Sequence, residues 1–197
     1  MTAKVVATGP SRYGRAAQSI HWATAILVLV AFLVGPGGPE SHVYDASRDA
    51  DRHLHETLGS LVFALAVIRV LWRTVDRRPH PIAVTRWMGL AAKAVQLALY
   101  LLLFAVPLTA ITGAWLEGHP LAYLGGLQIA SPIAPSHDVG VQLAELHGWL
   151  GDAILWLAGL HAVAALYHQF VLKDGVLRSM LPRWLLPDRV GASAIDR

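Results

Sequence analysis

Residues 146–172 read LHGWLGDAILWLAGLHAVAALYHQFVL, and this stretch decides how the rest of the chain is understood. A helix needs roughly 20 mostly apolar residues to cross a bilayer, and the stretch is long enough. It nevertheless carries His147 and His161. Ionisable side chains inside a membrane segment are costly and usually functional. Fourteen residues at about 100° each return to within roughly 40° of the starting direction, so the two imidazoles share one helix face. At 1.5 Å per residue they stand roughly 21 Å apart along the axis. One helix can therefore offer a ligand to each of two stacked sites.

Working outward, three more stretches have comparable length and apolarity, at about 16–35, 54–72 and 88–115. The first ends at Pro36-Gly37-Gly38-Pro39, which is no signal-peptidase pattern. The second is closed by the basic run from Arg73 to Pro81, and the third contains Pro107, which predicts a kink. The fourth stops at Lys173-Asp174-Gly175. Composition agrees: of 197 residues, 15% are charged and 55% hydrophobic, with a mean hydropathy of +0.48. Soluble domains run at about 25% charged, too many for this chain to resemble them. The expected fold is an all-α membrane protein, a four-transmembrane-helix bundle forming a single membrane domain over 1–197. The longest polar connection is 118–144, with room for a short amphipathic piece. Apart from Arg48 and Arg52, every Lys and Arg lies in the N-terminal tail, in or beside the second connection, or in the C-terminal tail. The positive-inside rule then makes both termini cytoplasmic.

That topology sorts four histidines by depth. His55 and His147 fall near the outer surface, and His21 and His161 in the cytoplasmic half. With no cysteine, thiolate metal sites and covalently attached haem are excluded. Paired neutral imidazoles suit bis-His ligation of haem b, where two filled axial positions favour electron transfer over O2 binding. Zinc would want further ligands around each pair. The residues four positions on, Ala25, Gly59, Gly151 and Ala165, are all small, and a flat macrocycle needs such clearance beside the helix. Arg69 lies 14 residues after His55, at the inner depth, where a haem propionate is its natural partner. Arg73, one turn on, can snorkel to lipid phosphate.

Several short runs now carry a family resemblance. They are Ser19-Ile20-His21-Trp22, His55-Glu56-Thr57-Leu58-Gly59, Val67-Ile68-Arg69, Leu99-Tyr100-Leu101-Leu102, and His147 with Gly151. Gly159-Leu160-His161-Ala162, Tyr167-His168 and Met180-Leu181-Pro182 complete the set. In this order, over about residues 11–184, the chain resembles the bacterial di-haem cytochrome b-561 family, whose superoxide oxidase members reduce quinone. The resemblance implies two non-covalent haems b in a bacterial inner membrane, with iron held by His21, His55, His147 and His161. It also implies electron flow from the periplasmic side to membrane quinone. The donor is either superoxide, which makes the protein a superoxide:quinone oxidoreductase, or a partner dehydrogenase subunit, which makes it a membrane anchor. No nucleic-acid partner is expected. The chain departs from the family pattern in the third span, with Lys93 and Gln96 where members often carry histidines.

The remaining polar residues have simpler readings. His168, seven residues after His161 on the same face, is a candidate quinone or propionate contact. Arg48, Arg52 and His53 are interleaved with Asp45, Asp49 and Asp51 and read as a solvated loop more readily than as an anion-attracting patch. His42, His80, His119 and His137 read as loop residues. Trp22, Trp87, Trp115, Trp149 and Trp184 read as interfacial anchors, and Lys93 and Gln96 as polar packing or lipid contacts. A non-redox metal transporter relaying ions between histidines is the competing class, for which intramembrane acids are few.

Overall fold

The computed structural model describes residues 12–76, 85–182 and Leu185. His80, Trp184 and most of the basic run after Arg73 lie outside the described residues. In chain order the helices are α1 (Arg15–Val34), α2 (Glu40–Val43), α3 (Asp49–Val75), α4 (Arg86–Glu117), α5 (His137–Tyr167) and α6 (Val176–Met180). A 3-10 turn, Ala46–Arg48, leads into α3, and a π-helical turn, His168–Leu172, extends α5. Between α4 and α5, β1 (Leu121–Ala122) pairs antiparallel with β2 (Gln128–Ile129), Leu121 opposite Ile129. The segments led by α1, α3, α4 and α5 are long and apolar enough to cross a membrane, as the expected four-span bundle requires.

The helices overrun the apolar stretches. The second begins at Asp49 and not near Leu54, and the last at His137 and not near Leu146. Nothing stops a helix at the edge of the hydrocarbon while its backbone bonds continue. Asp49, Asp51 and Asp138 in the first turns also favour the positive helix N-termini. His137 is therefore helical, the intervening loop is shorter than expected, and it holds a hairpin where an amphipathic piece was anticipated. His42 likewise sits in α2. At Pro107 the chain stays helical within α4, with Thr109 Oγ1 donating to the Ala105 and Val106 carbonyls, both at 2.9 Å. Gly118, at φ 91°, ends α4 in the left-handed conformation that glycine adopts without penalty.

Within the bundle α4 lies against α5, and α1 against α3. A Cβ at Gly140 would come within 2.7 Å of the Glu117 backbone nitrogen and Cγ, so only glycine lets the start of α5 press this closely on the end of α4. The core is a thin layer of Val62, Ala66, Leu103 and Ile154, with Leu27, Val28, Leu99, Leu102, Phe104 and Val106 packed around it. Ile154 is seven residues from both His147 and His161, so this layer lies at mid-height between the two histidine levels. Large side chains such as Leu33, Trp149 and Val163 are well exposed, as lipid-facing residues must be when the solvent is hydrocarbon.

The two described ends of the chain meet. Tyr13 N donates to the Ser179 carbonyl at 3.0 Å. Gln18 Nε2 donates to the Ser179 and Leu181 carbonyls at 3.3 and 3.2 Å. Trp22 Nε1 donates to the Met180 carbonyl at 3.0 Å, so this tryptophan is a clasp as well as an interfacial residue. We call this the terminal end of the bundle; the hairpin and α2 form the opposite, cap end.

Candidate functional site

The structure brings the four membrane histidines together in two couples, one toward each end. At the cap end, His55 on α3 faces His147 on α5 with ring centroids 5.9 Å apart. At the terminal end, His21 on α1 faces His161 on α5 at 6.5 Å. An imidazole nitrogen sits about 2 Å from a first-row metal. The ring centre lies roughly 1.1 Å further back, so rings clamping one ion have centroids about 6.2 Å apart. Both couples straddle that spacing.

Helix ends and a helix interior supply the orienting partners at the cap end. Ala31 is among the last residues of α1, whose terminal carbonyls lack intrahelical donors. The chain turns away at Gly35-Pro36, and His55 Nδ1–H donates to the Ala31 carbonyl at 2.8 Å. His147 Nδ1–H donates to the Val106 carbonyl at 2.9 Å, beside Pro107. A carbonyl can only accept, so both rings carry their proton on Nδ1 and present an Nε2 lone pair. This is the second-shell arrangement that fixes a metal-binding tautomer.

The terminal-end couple is set differently. Arg69 Nη1 lies 3.1 Å from His21 Nδ1, and Arg69 Nε donates to the Tyr100 hydroxyl at 3.1 Å. A guanidinium only donates, so His21 Nδ1 accepts and its proton sits on Nε2. Arg69 thus rests on an imidazole and a phenol. Arg69 and Arg73 both approach the Tyr100 ring, at 5.5 and 5.7 Å from its centre, within cation–π range. Arg73 therefore faces the bundle and not only lipid.

The donor set and the space both suit a flat macrocycle with acidic side arms. A Cβ at Gly59 or Gly151 would meet nothing within 4 Å. At the cap end Arg52 Nε and Trp115 Nε1 are buried N–H groups without a hydrogen-bond partner among the described residues, as is Arg178 Nε in α6. Orphaned buried donors are rare and call for a partner, and propionates are acceptors. Trp115, expected as an interfacial anchor, has its indole nitrogen buried.

Lys93 and Gln96 do more than pack. With Val70, Arg73, Leu97 and Tyr100 they line an open cleft of about 360 Å3. A smaller one shares Arg73, Gln96 and Tyr100 and reaches Arg69. His168 sits at the end of α5 with Nδ1 against the Asp174 carboxylate; Asp174 also accepts from Val176 N at 3.1 Å, opening α6. The quoted run around His55 also holds residues whose role only the structure shows. Glu56 accepts from the nearly fully buried Ala122 N at 2.5 Å, Thr57 Oγ1 from Leu124 N at 3.1 Å, and Ser60 Oγ donates to Tyr123 at 3.2 Å. Together they fasten the hairpin over the start of α3.

Charges on the cap are largely matched. Arg52 bridges Asp49 at 2.6 Å and Glu56 at 3.3 Å, and Arg48 pairs with Asp51 at 3.3 Å. Arg48 closes the 3-10 turn and Arg52 lies in α3 with its side chain largely buried, so the cluster is not the solvated loop expected from sequence, while the carboxylates paired with both cations argue against an anion funnel. Hydrogen bonds from Ser47 hold the Asp45 carboxyl below its ordinary value. Burial, reinforced by the Glu117 and Glu56 carboxylates, pushes the Tyr44 phenol up, so it stays neutral.

A family described as prokaryotic cytochrome b561 matches residues 12–183. The chain is 35% identical to cytochrome b561 homolog 2 of Escherichia coli, over 87% of this chain and 92% of that one. It is 34% identical to cytochrome b562 of Cereibacter sphaeroides, over 87% and 96%. It is 28% identical to a probable superoxide oxidase, CybB, of Yersinia pestis, over 83% and 92%.

Proposed function

We propose that this chain, which belongs to the prokaryotic cytochrome b561 family, carries electrons from superoxide at its cap end to a membrane quinone near its terminal end. Membrane electron transfer with b-type haem is common to the family; the donor, the acceptor, the number of haems and their ligands are our reading. The observation that carries it is the pair of histidine couples, each with ring centres near the separation that one clamped ion requires. Two bound haems b would supply reversible one-electron chemistry, one at each level.

The chain's own residues hold and tune. His55 and His147 would ligate at the cap end with their tautomers set by the Ala31 and Val106 carbonyls. His21 and His161 would ligate at the terminal end. There His21 must yield its Nε2 proton, so the Arg69 contact to Nδ1 is given up and the guanidinium becomes free for a propionate. Gly59 and Gly151 leave room beside the cap-end couple. The cleft of Arg73, Lys93, Gln96 and Tyr100 adjoins Arg69 and offers an apolar wall with polar tips, which suits a quinone head group. His168 is close to the same end of α5 and a candidate for the same ligand or a propionate. Two superoxides each give up one electron, leaving two O2, while the quinone takes those two electrons with two protons.

The distribution of Lys and Arg supports an orientation with the terminal end cytoplasmic and the cap end periplasmic. Stopped-flow mixing of the oxidised protein with superoxide should reduce it rapidly, with electrons passing on when ubiquinone is present. A protein that stays oxidised under superoxide but is reduced by a membrane dehydrogenase would be an anchor subunit, and the donor assignment would be wrong.

A further inference from the structure

On the cap, away from the four membrane histidines, Glu40 on α2, Glu117 at the end of α4 and His119 in the following turn converge. Their ligand atoms all lie within 4.8 Å of one another. Glu40 Oε1 is 2.9 Å from His119 Nε2, and Glu40 Oε2 is 3.7 Å from His137 Nε2 at the start of α5. Metal–ligand bonds of about 2.0–2.2 Å place tetrahedral donor atoms roughly 3.3–3.6 Å apart, and these separations bracket that range. The donors come from three separate segments of chain, α2, the end of α4 with the turn after it, and the start of α5, so their convergence is no accident of helical periodicity.

The local framework is stiff. The Tyr44 ring stacks on His119 at 3.4 Å between centres, with 17° between planes. Arg52 covers the Tyr44 ring, 5.1 Å from its centre. Behind the site, Ser136 N donates to the Leu116 carbonyl at 2.8 Å and His119 N to that of Ala114 at 2.9 Å. Gly140 permits the close approach of Glu117 to α5. Among the described residues no Lys or Arg pairs with Glu40 or Glu117, so two carboxylates meet with only imidazoles between them. A divalent cation would neutralise the pair. The mixed nitrogen and oxygen donors select a transition ion over calcium or magnesium, which prefer oxygen alone. His119 and Glu40 remain about one-third exposed, so an ion can enter from water.

We propose that Glu40, Glu117 and His119, with His137 as the fourth arm, bind one divalent transition cation of the zinc type. Such an ion would lock α2 and both ends of the α4–α5 connection into one cap.

The test is calorimetric titration of zinc chloride into the detergent-solubilised holoprotein, after chelator washing and removal of any affinity tag. Wild type should take up one zinc per chain, and zinc should raise its melting temperature by circular dichroism. Glu40→Gln, Glu117→Gln and His119→Ala should each weaken binding by more than about tenfold, and His137→Ala by less. His42→Ala, a nearby histidine outside the cluster, should bind as wild type does. Helical circular dichroism identifies any variant that fails to fold, and the other two substitutions at the cluster then decide. Absence of saturable binding to wild type would overturn the proposal. So would affinity left intact by the folded cluster variants, because the zinc would then sit on other histidines.

Discussion

Replacing Gly151 by Leu separates a site for a flat cofactor from ordinary packing. In the structure a Cβ at this position meets nothing within 4 Å, so the protein chain itself has room for it. Gly151 is inside α5, and exchanging a helix-interior glycine for leucine gains about 0.5–1 kcal/mol of helix propensity. On the protein's contacts alone the variant should therefore fold at least as well as wild type. If the space beside His147 is where the macrocycle lies, the branched side chain occupies it one turn from the ligand. Haem content by the pyridine haemochrome assay should then fall from two per chain to one, and the reduced-minus-oxidised alpha band should drop by about half. Helicity and expression should be retained. A Gly151→Leu protein that still holds two haems would refute the placement of the macrocycle against this face of α5, and with it the reason for a small residue four positions after His147.

Three other substitutions probe separate parts. His147→Ala should remove only the cap-end haem and His161→Ala only the terminal-end one, distinguishable by redox titration; loss of neither would break the pairing. Arg69→Gln takes a positive charge from beside His21, so the terminal-end midpoint potential should fall by an amount on the order of tens of millivolts, and an unshifted titration would remove Arg69 from that site. Glu56→Ala strands the nearly fully buried Ala122 N–H, a loss of about 1–3 kcal/mol. The hairpin should become a preferred site of limited proteolysis, and an unchanged cleavage pattern would show that Glu56 is not its fastening.

Much of the architecture is legible along the chain because it depends on local rules. Apolar length sets the spans, and a 3.6-residue period puts His147 and His161 on one face at two levels. Helix boundaries were less legible: Asp49 and His137 begin helices well outside the apolar stretches, because backbone hydrogen bonding and the helix dipole do not heed the hydrocarbon edge. Resemblance draws attention to Glu56, Thr57 and Met180 without a role for them, and Trp22 reads only as an interfacial anchor. Their partners lie across the fold, Glu56 on the hairpin at Ala122 and Trp22 on the far end of the chain at Met180.

The sequence by itself determined that this is a four-span membrane protein with histidines at two depths, since hydropathy and helical spacing are properties of neighbours in the chain. Only the tertiary structure decided which carbonyl orients each cap-end imidazole, that Arg69 meets His21, and that Glu40, Glu117 and His119 share a few ångströms of the cap. Those contacts join segments tens of residues apart, and their geometry follows from how α1, α3, α4 and α5 pack, which no spacing rule encodes.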